Sequence, residues 1–331
     1  MPILGAELRY YRSQVVNDTS ANGGRISSTR EASGSSNSFW PNYTSAQLAS
    51  GGTWWRKGFL RIDNANDETA ENVRIGLWKP MPEDDVVYLA EGTQTDTQGD
   101  LSNPDLYGAG WLQQSVTAGA SQLAITIDQL SGQSVTLFRD GDTLLITDQV
   151  TAGGEGNYEF HVVSGTPTKV GDVVTLTLAT ALANDYSATN TFVCSIIDAG
   201  NVSSQVIDVV VTSSAGTFDD TKLSVSNLGS ITQEVTITFT SATNFTVTSD
   251  SVSLSPNTGS INGVYAPENV AAGADYLSIP VSAWGGTFAE NDTVVFVTVP
   301  PCVPIWEQRR LPASTASLSL ETRTLLFFVE S

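Results

Sequence analysis

The stretch GTWWRKGFLRIDNANDETAENVRIGLWKP, Gly52–Pro80, carries the reading of the fold. From Phe59 the residues FLRID alternate apolar and polar. NANDETAEN is a run of turn formers, and VRIGLW alternates again with Val73, Ile75 and Leu77 on one side. A period of two on either side of a turn is the pattern of antiparallel strands with one face on a core and one on solvent. Just ahead, Trp54, Trp55, Arg56 and Lys57 stand together, and Trp78 with Lys79 closes the facing strand. Trp and Arg dominate interface energetics, because each brings a large area on few rotors with a polar handle. The cluster therefore reads as a surface that grips another copy of the chain. The alternatives are packing in the chain's own core and a platform that stacks on sugar rings.

The same period spreads in both directions. VVYLAEG resumes the ladder after the prolines of KPMPEDD. After the polar connector Thr93–Gly110, short strands QLAITI, VTLF, DTLLITD, YEFHVVSG, VVTLTLA and TFVCSII are joined by turn signals in RDGD, AGGEGN and VGD. Such spacing predicts a small barrel or sandwich. From Asp198 the strands lengthen and fill with Thr, Val and Ser, as in QVIDVVVTSS, QEVTITFTS and DTVVFVTVP. They resemble an immunoglobulin-like sandwich in pattern only, without its Cys–Trp–Cys framework. Helical signals are confined to TSAQLAS and APENVAAGADYL. LRYYRSQVV predicts a strand, whereas NDTSANGGRISSTREASGSSNS is too polar to pack a core alone and predicts a loop or an arm ordered by a partner. The expected architecture is all-β and multi-domain. It comprises an N-terminal arm with part of a sandwich over 1–107, an inserted barrel over 108–198, and an immunoglobulin-like sandwich over 199–331. One echo links the outer units: LRIDNANDETAENVRI from Leu60 and LSVSNLGSITQEVTI from Leu223 both place an Asn, a turn and a Glu ahead of a V-x-I strand. The last residues, Leu325–Val329, are apolar enough to require burial or a neighbour.

The formal charge is −20 over 331 residues, and it is uneven. Residues 1–79 hold nine cations against seven acids; the remainder holds six cations against 28 acids. So acidic a body repels nucleic acid and anionic membranes, and neither is expected as a partner. The opening MPILGAELRYYRSQ lacks the cationic and apolar regions of a secretory signal, and no apolar run approaches membrane-spanning length. Expression in the cytoplasm is therefore expected.

Catalytic and metal signals are weak. His161 is the one histidine, in a strand whose alternation sets Glu159, His161 and Val163 on one face, with no nucleophile motif beside it. Cys194 and Cys302 have no metal-ligand spacing and read as free thiols. Asp140 with Asp142, and Glu83, Asp84 and Asp85, supply oxygen without the twelve-residue calcium loop pattern. No glycine-rich loop has the strand–helix context of a phosphate cradle. No catalytic residue, metal or cofactor is expected.

Three blocks carry a resemblance: ILGAELRYYRSQVVNDTSANGGRIS from Ile3, RKGFLRIDNANDETAENVRIGLWKPMPEDDVVYLAEGTQTDTQGD from Arg56, and DGDTLLITD with TLATALANDYSATNTFV from Asp140. They resemble a family of virion structural proteins of tailed bacteriophages, Mu-like phages included. The family's pattern joins VVNDT…NGGR to KVxNDxxxT and then to PGDD before an apolar strand. Asn64–Thr69 stands for the second element. MPEDDVVYL stands for the third, with Glu83 where the pattern has glycine. The resemblance spans most of residues 1–195. It implies a non-enzymatic structural subunit at the tail tip or baseplate, assembled in the host cytoplasm into the virion. Its partners would be copies of itself and neighbouring tail proteins. The interface residues expected are Tyr10, Tyr11, Arg12, Phe39, Trp40, Trp54, Trp55, Arg56, Lys57 and Trp78. A carbohydrate-binding adhesin, with Trp54, Trp55 or Trp111 stacking on a host-surface glycan, is the alternative.

Overall fold

A computed structural model describes residues 3–34, 37–80, 85–130, 133–151, 153–315 and 324–330. The fold is all-β with several antiparallel sheets, as the alternation predicts. The chain opens with β1 (Leu8–Val15), β2 (Gly23–Glu31), β3 (Gly52–Ile62), β4 (Ala70–Leu77) and β5 (Val86–Glu91). The expected arm is a correction: the polar segment after Val15 turns and returns as β2, which pairs with β1, and β1 pairs with β3. Backbone pairing to an existing sheet edge orders a segment that has too few apolar side chains to fold by itself. The side chain of Asn22, wholly buried, anchors this turn by donating to the Trp55 carbonyl at 3.0 Å.

β3 and β4 are strands, but they do not pair with each other. β3 lies between β1 and β22 (Cys302–Leu311), and β4 lies between β12 (Phe192–Val202) and β23 (Leu325–Glu330). The NANDETAEN turn crosses from one sheet to the other. Asn64 holds the crossing open by accepting from the backbone N–H groups of Asn66 and Glu68 at 2.9 and 3.1 Å. Sheet one runs β2-β1-β3-β22-β5. Its Leu60, Ile62, Leu89, Val303 and Ile305 pack on Val73, Ile75 and Leu77 of β4 and on Ile196 and Ile197 of β12. Every residue from Arg56 to Ile62 is buried, because both faces of this central strand are covered.

The middle block supplies β6 (Ala109–Leu112), β7 (Gln122–Ile127), β8 (Thr143–Thr147), β9 (Tyr158–Val162), β10 (Thr168–Val170), β11 (Val173–Thr177) and β12. These join β4 and β23 in one curled sheet. VTLF is buried at Val135, Leu137 and Phe138 without forming a strand. The block does not close its own core: Val86, Tyr88 and Ala90 of β5 and Trp306 of β22 complete it.

The third block holds β13 (Gln205–Thr212), β14 (Gly216–Phe218), β15 (Gln233–Phe239), β16 (Asn244–Ser249), β17 (Thr258–Ser260), β18 (Glu268–Asn269), β19 (Ala274–Asp275), β20 (Trp284–Gly286) and β21 (Thr293–Val299). Its main sheet runs β13-β21-β15-β16-β17 over a core rich in Phe239, Phe245, Phe288 and Phe296. Of the two helical signals, TSAQLAS forms α1 (Ser45–Ser50), with Thr44 and Gln47 making a reciprocal cap. APENVAAGADYL forms the β18–β19 hairpin, because Gly273 turns left-handed after one helical turn.

Strand pairing also redraws the expected limits 1–107, 108–198 and 199–331. β12 runs through residue 198 without a break, and its two halves pair in different places, 192–196 with β6 and β8 and 197–202 with β4. β22 and β23 leave the third block and return to the first. Part of the final segment, residues 316–323, lies outside the described residues. Trp306 is wholly buried where β22 meets the middle core, so Trp306→Ala is expected to cost about 3–5 kcal/mol of folding stability. Chemical denaturation of the full chain measures this.

Candidate functional site

Alternation along β3 sends Trp54, Arg56 and Gly58 to one side and Trp55, Lys57, Phe59 and Arg61 to the other. The opposing residues on β22 are Arg309, Glu307 and Ile305 on the first side and Gln308, Trp306, Pro304 and Cys302 on the second.

On the first side the apolar core ends at Gly58. Tyr10 lies across that glycine, where a Cβ would come within 2.1 Å of its hydroxyl, and donates to Glu307 Oε1 at 2.9 Å. The segment carrying Phe39, Trp40 and Tyr43 folds over the polar end. Trp40 Nε1 donates to Glu307 Oε2 at 2.8 Å. The Arg56 guanidinium lies 5.1 Å from the Trp40 ring centre, and that of Arg309 lies 4.0 Å from the Tyr43 ring centre. Arg309 pairs with Asp85, which also accepts from the Tyr43 hydroxyl at 2.8 Å, and Arg56 pairs with Asp18 at 2.7 Å. Glu307 and Asp85 are wholly buried. The space left beside Trp40 and Trp54 is about 30 Å³, room for a water and not for a substrate. Buried charges held by ion pairs and hydrogen bonds tie the 39–43 segment to β3 and β22 in a rigid knot.

On the second side Lys57 is buried, donating to the carbonyls of Gly24 and Asp96 at 2.7 and 2.9 Å and pairing with the Asp96 carboxylate at 2.6 Å. Burial lowers its pKa against the pull of Asp96. Trp306 Nε1 donates to the same carboxylate at 2.7 Å. Arg61 reaches the third block, donating to the carbonyls of Asn227 and Leu228 at 2.8 and 2.7 Å, while the Asn227 N–H donates to Asp67 Oδ1 at 2.6 Å. The two echoing segments thus meet at one contact. Tyr11 donates to Asp63 at 2.8 Å, and burial with this carboxylate pushes its pKa up to about 12. Trp55 stands edge-on to Trp306, 6.2 Å between ring centres, and borders a hollow with Gln98, Leu101, Gln308 and Arg310.

Six of the expected interface residues are half-buried: Tyr10, Tyr11, Arg12, Trp40, Trp54 and Trp55. Arg12 pairs with Glu31 within the β1–β2 hairpin. Phe39, Arg56, Lys57 and Trp78 are a correction: they are buried in the chain's own interior, because β3 is a central strand covered on both faces and Trp78 packs in the core between the first two sheets. Glu307 and Arg309 were not singled out by sequence; their signal is the charged run EQRR inside the apolar strand CVPIWEQRRL, and Asp85, read in sequence as one of three clustered acids, is the partner of Arg309.

His161 and Glu159 share a face, as the alternation predicts. His161 Nε2 lies 2.8 Å from Glu159 and Nδ1 lies 3.0 Å from Thr180 Oγ1. Glu159 also accepts from the N–H groups of Ala183 and Asn184 and from the Tyr186 hydroxyl. Burial raises its pKa, but these donors and His161 outweigh that and hold it at about 2. The cluster ties the loop at 180–186 to β9. Asp142 accepts from the Arg139 N–H and Asp140 from the Gly165 N–H, both at 2.7 Å, so these carboxylates brace turns. Glu83 and Asp84 lie outside the described residues. Among the described residues no group of three or more His, Cys, Asp or Glu is placed to hold a metal ion. Cys194 and Cys302 are free and buried, and burial pushes both thiols up, Cys302 to about 12. Trp111 is half-buried on β6.

Comparison with protein-family models, curated proteins and solved structures finds no match to the chain.

Glu307→Gln leaves one of two buried donors facing an amide N–H₂, and is expected to cost about 1–3 kcal/mol in denaturation. The folded pKa of Glu159 lies below its usual 4.5, so its stabilisation is complete above pH 4.5 and is lost as pH falls toward 2. Glu159→Gln is therefore expected to lower the melting temperature most near pH 5 and least near pH 2, a contrast that melts at the two pH values measure.

Proposed function

We propose that this chain is a non-enzymatic structural subunit of a tailed-phage virion, at the tail tip or baseplate, which associates with further copies of itself through strand edges. The resemblance over most of residues 1–195 supports the virion reading. The observation that carries the association is β13, which among the described residues pairs on one side only. On this edge strand Ile207, Val210 and Val211 are 39%, 56% and 37% exposed. Unpaired backbone beside β-branched side chains is the surface onto which another strand adds. A register shift between Ile207 and Val210, with Asp208 in the left-handed region, turns these side chains outward. The folding-back of β1 and β2 moves the gripping surface away from an N-terminal arm to the sheet edges. The buried charge knot under Trp40 then serves to hold the subunit rigid.

Native mass spectrometry and sedimentation equilibrium test the reading. The wild-type chain is expected to populate oligomers at micromolar concentration, and Val210→Asp, at an exposed position, is expected to shift it toward monomer without lowering its melting temperature. A wild-type chain that stays monomeric at high concentration overturns it.

A further inference from the structure

The hollow beside Trp55 is a concave surface whose lining combines an aromatic ring, amides and a guanidinium. Its volume is about 390 Å³. The floor is the second face of β3 and β22, where Trp55 stands opposite Gln308 and Arg310 follows on the same side. The wall is the connector that carries Gln98, Leu101 and Asn103. A short turn at Gln98–Asp100 fixes that wall, with Asp100 accepting from the N–H and hydroxyl of Thr97, both at 2.8 Å. The floor is a sheet and the wall is a braced turn, so the hollow is preformed.

Arg310 is the decisive group. Seven other arginines, at 12, 25, 56, 61, 74, 139 and 309, each hold a carboxylate; Arg9 and Arg30 hold none among the described residues, but neither lines the hollow. Among the described residues none pairs with Arg310. Its guanidinium lies 5.1 Å from the Tyr88 ring centre and donates to the side-chain oxygens of Gln308 and Gln133. Both of those acceptors are neutral amides, which orient the fork without neutralising it. In a chain of net charge −20, a half-buried arginine without a carboxylate, set in a concave site, is an anion receptor. Trp55 adds an aromatic ring beside it, and the amides of Gln98, Asn103 and Gln308 add donors and acceptors at the rim. An aromatic ring, several amides and one guanidinium match a sugar ring, its hydroxyls and one carboxylate.

We infer that this hollow binds an acidic saccharide, with a sugar ring stacked on Trp55 and its carboxylate held by Arg310. The chain's overall field opposes an approaching anion, but at physiological salt that repulsion is screened beyond about 8 Å, and the charged side chain that lines the hollow is the Arg310 guanidinium. The site stands independently of the assembly reading, since β13 lies in another sheet.

Titration calorimetry on the full chain, with tryptophan fluorescence in parallel, tests it using tetragalacturonate and sialyllactose against neutral maltotetraose and cellotetraose. Binding of at least one acidic probe is expected, with neutral probes at least about tenfold weaker, the scale of one charge-assisted contact. Arg310→Gln is expected to weaken the acidic probe about tenfold or more. Asn103→Asp, at an exposed rim position, is expected to weaken it similarly with an unchanged melting temperature, which separates loss of binding from loss of fold. Absence of acidic-probe binding at millimolar concentration, equal affinity for the neutral probes, or unchanged affinity in both variants overturns the inference.

Discussion

The pairing of β3 with β22 is the constraint on which the structure depends. Ten residue pairs join Gly52–Arg61 to Cys302–Leu311, so strands about 250 positions apart lie side by side at the centre of the first sheet. Closing so long a loop is cheaper than its length suggests, because each doubling adds only about 0.6 kcal/mol. What it secures is extensive. β22 offers one edge to β3 and the other to β5. Through Ile305 it packs in the core shared with β4 and β12, and through Trp306 it packs in the core of the middle block. Everything between Glu91 and Pro301 is an excursion from the first sheet that β22 closes.

This position explains why cations are buried on β3. A central strand covered on both faces leaves its polar side chains no route to water, so each must meet its partner inside. Arg56 meets Asp18, Lys57 meets Asp96, and Arg61 meets Asp63 and the carbonyls of the third block. An apolar replacement of such pairs is often no less stable. Their contribution here is register: a one-residue slip of β22 against β3 would place Glu307 on the Lys57 face and leave Tyr10 and Trp40 without an acceptor.

The all-β class was legible, because period-two alternation is local and survives any arrangement of the strands. Pairing was not. FLRID and VRIGLW look like a hairpin, and only the prior occupation of both β3 edges by β1 and β22 shows that they belong to different sheets. The polar stretch before Phe39 has the composition of a loop, and its order comes from backbone bonds to β1 that composition does not record. Among the tryptophans, sequence marked Trp54 and Trp55 equally. The parity of the strand separates them, one toward the buried charge knot and one toward the open hollow, and the register with Arg309 and Gln308 sets which is which. Trp306, which anchors two sheets, lies in a strand whose PCVPIWEQRR reads neither as clean alternation nor as a turn.

Charge and edge chemistry pull in opposite directions on such a chain. Copies carrying −20 each repel at distance, and that repulsion discourages indiscriminate pairing of β13 and of the terminal β10, where Val170 is 82% exposed. Repulsion decays over a Debye length of about 8 Å at physiological salt, whereas apolar burial acts only at contact. A contact that excludes water along β13 therefore competes with charge only after the subunits are brought together, and it gains as salt rises. On the reading proposed above, a surface with that balance would keep free subunits apart when dilute and let them associate when held side by side.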